Sequence, residues 1–465
     1  MIKEDLFSEF PEVSAKQWKQ KIQVDLKGAD YTKTLVWESL EGVKVKPFYS
    51  VEDLEGLKTF KLPNDHHWSV AQSIYAGDSK KANTKAITSI AKGTESILFT
   101  IPNDNVDFEI LFSNIDLESI PIHLEFQFLD SVIVRKLLVF LNGKKATIHL
   151  NFDIIGNLSR TGNWFHNLEE DHTLLENIYN LALKNGNISS IAVDTSLYQN
   201  SGANAVQQLA YGLAHANEYL NYFQNNDLTK AEKSQPIIFK VSVSGNYFFE
   251  IAKLRALRWL WKSISETYDI SDDCHILAIP SKRNKTLYDY NVNMLRTTSE
   301  YMSAILGGAD TVLSLPYDAI YHKDNEFAER IARNQLLLLK EESYFDQASK
   351  VAEGSYYVEV LTHQLAEKAL ELFKQIENSG GFLNELKKGN IQRKVKESAA
   401  KEEQLFEKKQ TTLVGTNKFE NLDDKMKDSL DLYPFVKIKP RKTIIEPIVE
   451  KRLAEALEQK RLSDE

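Results

Sequence analysis

Short apolar runs alternate with amphipathic stretches along most of the chain. The runs that read as strands are SILFTI (96–101), IHLEFQF (122–128), ATIHLNFDI (146–154), SIAVDTS (190–196), IIFKVSVS (237–244), HILAIP (275–280) and TVLSLPY (311–317). Each is followed by a stretch of helical period. A further strand, short and weakly written, is expected near Gln347 to Ala352. Two late helices are clearest. One carries Phe327, Ile331 and Leu338 among charges; the other steps through Val358, Leu361, Leu365, Ala369, Leu372 and Ile376 and stops at Gly380-Gly381. Regular strand–helix alternation from residue 83 predicts α/β class with parallel strands, and eight such units predict a (β/α)8 TIM-type barrel over 83–382. A doubly wound sheet is the alternative, but no G-x-G-x-x-G or Walker-type loop follows any strand.

Residues 1–82 read as an N-terminal arm or capping segment. Ser14 is placed to cap a short helix through Trp18 and Ile22, and WESLEGVKVKPFYS alternates before Pro47. Residues 383–465 read as a charged, helical C-terminal extension.

Several predicted strands are not uniformly apolar, as buried parallel strands usually are. His123, Glu125 and Gln127 alternate with Leu124, Phe126 and Phe128. His149, Asn151 and Asp153 alternate with Ile148, Leu150 and Phe152. Lys240, Ser242 and Ser244 alternate with Phe239, Val241 and Val243. The apolar set must meet the helices, so the polar set, with Asp194 and Ser314, is expected to point into the barrel. Charges there need partners. Lys240 with Glu125, Asp153 or Asp194 would supply them. Side chains this long favour a self-satisfied plug over a tunnel for a ligand.

Composition narrows the function. A net charge of −9 gives no reason to expect nucleic-acid binding. The single cysteine, Cys274, excludes an internal disulfide framework and a multi-cysteine metal site. MIKEDLFSEFPEV lacks an apolar signal core, and no run approaches a membrane span, so a cytoplasmic protein without membrane contact is expected. His66-His67 is a poor metal pair, since adjacent residues seldom ligate one ion, and no metal site is expected.

The wording of several stretches is more specific than their pattern. FAERIARN, GSYYVE, GNYFFEIAKLRALRWLW, LRTTSEYMSAILGGADTVLSLPYDAIY and VGTNKF together resemble the methylmalonyl-CoA mutase family over about residues 120–465, with a looser match before that. The resemblance implies a (β/α)8 barrel and the interconversion of methylmalonyl-CoA and succinyl-CoA with adenosylcobalamin. It implies an arm lying against a partner subunit, and structural ion pairs for Arg255, Arg258 and Arg333.

The same resemblance shows what has changed. Catalytic members carry GYHMQEAGA after the fourth strand; here Thr195 to Ala203 matches, with Leu197 at the histidine position. Leucine can neither donate a hydrogen bond nor exchange a proton. The RTHSQTSG-type loop is replaced at Ala278-Ile279-Pro280, and the arginines of the RPWTIRQYAGFS-type entry become His66 and Ala71. Tyr75, Gln199, Lys282 and Arg283 remain as vestigial candidates for substrate contact. The cobalamin signature D-x-H-x-x-G has only a chance partial match at Asp273-Cys274-His275, and no cobalamin-binding domain is expected. The profile is that of a non-catalytic small subunit. Its large (alpha) partner would hold adenosylcobalamin and the acyl-CoA, with no cofactor on this chain. Two alternatives stay open. One is a catalytic barrel of a split mutase with a separate cobalamin subunit. The other is a stand-alone acyl-CoA-binding protein, which an open, positively lined barrel mouth would favour.

Overall fold

A computed structural model describes residues 9–11, 13–63, 66–185, 187–226, 235–347, 350–437 and 440–465. Eight parallel strands close into a barrel: β3 (Ser69–Tyr75), β4 (Ser96–Ile101), β5 (Ile122–Phe126), β6 (Ile148–Phe152), β7 (Ile188–Asp194), β8 (Ile237–Val243), β9 (Cys274–Pro280) and β10 (Thr311–Leu313). β10 pairs with β3 through Thr311–Ser69, Val312–Val70 and Leu313–Ala71, which seals the ring. Helices follow the strands and cover the outside. Apolar residues on the outward face, such as Ile97, Phe99, Leu124, Leu150, Phe239 and Ile276, are buried in one continuous core beneath them.

Two expectations about the barrel are corrected. The first strand is Ser69–Tyr75, inside the segment read as an arm, so the barrel begins before residue 83. Its outward face interrupts Val70 and Ile74 with Gln72, which hid the apolar pattern. Gln72 is satisfied by Arg333 and Glu329 on the helix Glu326–Leu337. Among the described residues, no strand forms at the place expected near Gln347–Ala352. Residues 348 and 349 lie outside the described residues, and those beside them are turn. β3 already occupies the place this strand was meant to fill.

The late helices form as their pattern dictates, Glu326–Leu337 and Tyr356–Asn378. The second ends where Gly380 and Gly381 take φ of +103° and +89°, a conformation side chains resist. Glu359, in its first turn, accepts from the Gly354 amide at 3.0 Å and from buried Arg255 at 2.6 Å. Arg258 ties Asp310 at 2.6 Å to the Gly308 carbonyl.

The arm consists of a helix Ala15–Asp25, capped by Ser14 and Gln17, and the antiparallel pair β1 (Trp37–Glu38) and β2 (Lys44–Val45). The helix buries none of its residues. The C-terminal extension is helical only at its ends, in Phe382–Lys387, Asn390–Glu407 and Glu455–Asp464. IIEPIVEK, inside the extension read as helical, runs without regular structure across the C-terminal mouth of the barrel. Pro447 in its middle lacks the amide that a strand ladder would use. Among the described residues no helix is long and apolar enough to cross a membrane.

Candidate functional site

The C-terminal ends of the strands surround a cavity of about 500 Å³. In barrels of this kind that face carries the chemistry. Tyr75, Gln127 and Lys282 stand at its rim; Glu125, Lys240 and Ser314 line its wall; Leu98 and Leu313 form its floor. Beneath, Leu98, Ala192, Ile238 and Leu277 pack across the barrel axis as a separate small core. The barrel is therefore filled below and keeps a cavity above.

The wall charges satisfy one another. Lys240 Nζ lies 2.9 Å from Glu125 and 3.5 Å from Asp194. Arg160 bonds Asp194 at 2.9 Å and Glu450 at 2.8 Å. Burial alone would raise the Asp194 carboxyl, but Lys240 and Arg160 outweigh it and hold the group down at about 2. Burial likewise disfavours the Lys240 ammonium, and Asp194 and Glu125 reverse this, so its pKa is raised. Lys240 stays a cation and acts as a fixed tie rather than a proton carrier.

Asp153, expected in the interior, points elsewhere. It caps the helix Ile154–Thr161 through the Gly156 amide at 2.7 Å and accepts the Asp194 amide at 2.8 Å. Its carboxylate meets His215 at 2.8 Å and the Tyr219 hydroxyl at 2.7 Å, both on the helix Ala205–Asn225. It thus ties strand to helix and leaves Lys240 to Glu125 and Asp194.

Leu197 sits in a short helix, Ser196–Asn200, just after β7. It is 0% exposed and belongs to the main apolar core. Gln199 is buried and accepts from the Ser281 hydroxyl at 2.8 Å. Arg283 is committed to the C-terminal extension. Its Nε bonds Glu402 at 2.6 Å and its Nη1 bonds the Lys451 carbonyl at 2.8 Å. Of the vestigial candidates only Tyr75, 59% exposed, and Lys282 reach the cavity. Sequence reasoning missed the residues that close over them. Asn200 donates to Glu450 at 3.1 Å and its carbonyl accepts the Lys451 amide at 3.0 Å, so the irregular segment crosses the mouth. It also missed three histidines gathered at the opposite end of the barrel.

The comparisons with known proteins agree with this architecture. The family model for methylmalonyl-CoA mutase matches residues 101–460. The chain belongs to the methylmalonyl-CoA mutase family. It is similar to the methylmalonyl-CoA mutase small subunit of Porphyromonas gingivalis, 34% identical over 92% of this chain and 73% of that one. The small subunit of Streptomyces virginiae is 28% identical over 90% of this chain and 72% of its own length. A methylmalonyl-CoA mutase of Cereibacter sphaeroides is 27% identical, with 86% of this chain and 64% of that one covered. Within the mutase family the chain groups with the small subunits.

Proposed function

We propose that this chain is the non-catalytic small subunit of an adenosylcobalamin-dependent methylmalonyl-CoA mutase. Its role is to stabilise a catalytic large subunit in the cytoplasm, which holds the cofactor and the acyl-CoA. The observation that carries the reading is Leu197. In catalytic relatives the resemblance places a histidine there to hydrogen-bond the acyl carbonyl of the rearranging radical. Here the side chain has no polar atom and is sealed in the apolar core.

The rest of the mouth supports the same conclusion. A corrin ring needs an open face above the strands, whereas Glu450 and Lys451 are bonded across that face to Arg160 and Asn200. The residues present do not fit the cofactor, and no catalytic step is assigned to them. A stand-alone acyl-CoA site would want free cations. Arg160 and Lys240 are already paired, and Asp318, Asp324 and Glu329 share the cavity wall with Lys282.

The test is to mix the purified chain with the large subunit and follow complex formation by size-exclusion chromatography and the large subunit's thermal stability. Co-elution with a rise in the partner's Tm is expected. Independent elution with no change in Tm would overturn the assignment.

A further inference from the structure

At the N-terminal end of the barrel three histidines from three strands face one another. Each is the second residue of its strand: His123 in β5, His149 in β6 and His275 in β9. His123 and His149 are in direct register, with ring centroids 4.4 Å apart. His275 lies 4.4 Å from His149 and 5.2 Å from His123 by the same measure. A potential ligand nitrogen from each lies within 4.8 Å of the other two. Among the described residues this is the one group of His, Cys, Asp and Glu side chains so arranged.

The cluster is incomplete as a hydrogen-bonded unit. His123 is 0% exposed, and its ring nitrogens meet nothing beyond a loose approach of the Asn151 side chain. Native interiors seldom leave a polar ring in that state. The other two imidazoles each use one nitrogen. His149 Nδ1 meets Ser189 Oγ at 2.7 Å and His275 Nε2 meets Thr311 Oγ1 at 3.0 Å. Each contact fixes its ring and leaves the second nitrogen for another ligand, as the outer contacts of metal-binding histidines do. Asn151, two residues beyond His149 on the same face of β6, is buried beside His123 with no closer polar partner.

We propose that His123, His149 and His275 form a binding site for a divalent cation of the zinc type at the base of the barrel. Three neutral imidazoles without carboxylate or thiolate select Zn2+ and its late first-row neighbours over Mg2+ or Ca2+. Zn–N bonds of about 2.0–2.1 Å in a tetrahedral set place the nitrogens about 3.4 Å apart, within the 4.8 Å that bounds their present separation. A water held near Asn151 completes the coordination. His275 is only partly buried, which gives the ion a route in from the lower rim. The metal would cross-link β5, β6 and β9, far from the mouth, and the site stands whether or not the chain is catalytically silent.

The experiment uses the full chain without an affinity tag, stripped with a chelator and titrated with Zn2+ against a chromophoric competitor. Co2+ serves as the spectroscopic probe. One ion per chain is expected, with visible Co2+ bands of tetrahedral, nitrogen-ligated type and a rise in Tm on Zn2+ addition. His149→Gln and His275→Gln should each weaken uptake by about a hundredfold, ligand loss costing at least as much as loss of an outer contact. Failure of the wild-type chain to take up stoichiometric Zn2+ overturns the proposal, whatever the variants do. Wild-type affinity in both variants, with unchanged circular dichroism, overturns it too, by placing the ion elsewhere.

Discussion

Replacing Lys240 by Met removes the cation that two carboxylates in the barrel wall share. Breaking a buried ion pair from one side typically costs about 3–5 kcal/mol, because a charge is left without compensation. Two features reduce the cost here. The Glu125 side chain is 33% exposed and can recover water, while Asp194 keeps Arg160 and the Ser196 amide and hydroxyl. The expected loss is therefore about 2 kcal/mol at pH 7, below the fully buried case. Equilibrium urea unfolding followed by far-UV circular dichroism measures it. Adding Glu125→Gln to Lys240→Met should return about 1 kcal/mol, since contacting residues are not additive. A single-variant loss under about 0.5 kcal/mol, in the range of ordinary surface substitutions, would refute the reasoning. So would strict additivity in the double variant.

The same network sets a dependence on acid. Asp194 drops from an ordinary 3.8 to about 2 in the folded chain, worth about 2.5 kcal/mol by linkage. A depressed carboxyl stabilises above its unfolded pKa, so this contribution is complete at neutral pH and lost as pH falls from about 4 toward 2. Asp194→Asn should flatten that part of a stability–pH curve. Leu197→His should gain no mutase turnover and should destabilise the fold by about 2–4 kcal/mol, as it puts a polar ring into a closed apolar site; a melting curve and a coupled assay check both. Arg283→Ala should free the segment around Lys451 from Glu402 and open residues 440–453 to limited proteolysis, while an unchanged digestion pattern would deny Arg283 its anchoring role.

Much of the barrel was legible because its strands announce two faces. Glu125 and Lys240 alternate with Phe126 and Phe239, and the interior pairing of those two charges followed from the need to compensate them. β3 was hidden because Gln72 interrupts its outward face, and the residues that satisfy it, Glu329 and Arg333, lie more than 250 positions away. Asp153 was misplaced for a related reason. As a helix cap it turns out of the strand's alternation toward His215 and Tyr219, which periodicity does not register. The closure of the mouth was equally invisible, since Asn200 and Glu450 are separated by 250 residues and Glu450 sits in a segment without regular structure. The histidine cluster did leave a signal. Ile-His-Leu opens both β5 and β6, and a third histidine follows the first residue of β9. His123 and His149 were read as polar interior positions and His275 as a chance partial match to D-x-H-x-x-G, so the three did not suggest a shared site.

The proposed function holds that the barrel keeps its scaffold while Leu197 stands where catalytic relatives are expected to carry a histidine. The direct measurement is mutase turnover, with methylmalonyl-CoA and adenosylcobalamin supplied, for the purified chain, the purified large subunit and their mixture. No turnover is expected from this chain alone, and higher or longer-lived activity is expected in the mixture than in the large subunit by itself. Turnover by this chain alone would contradict it.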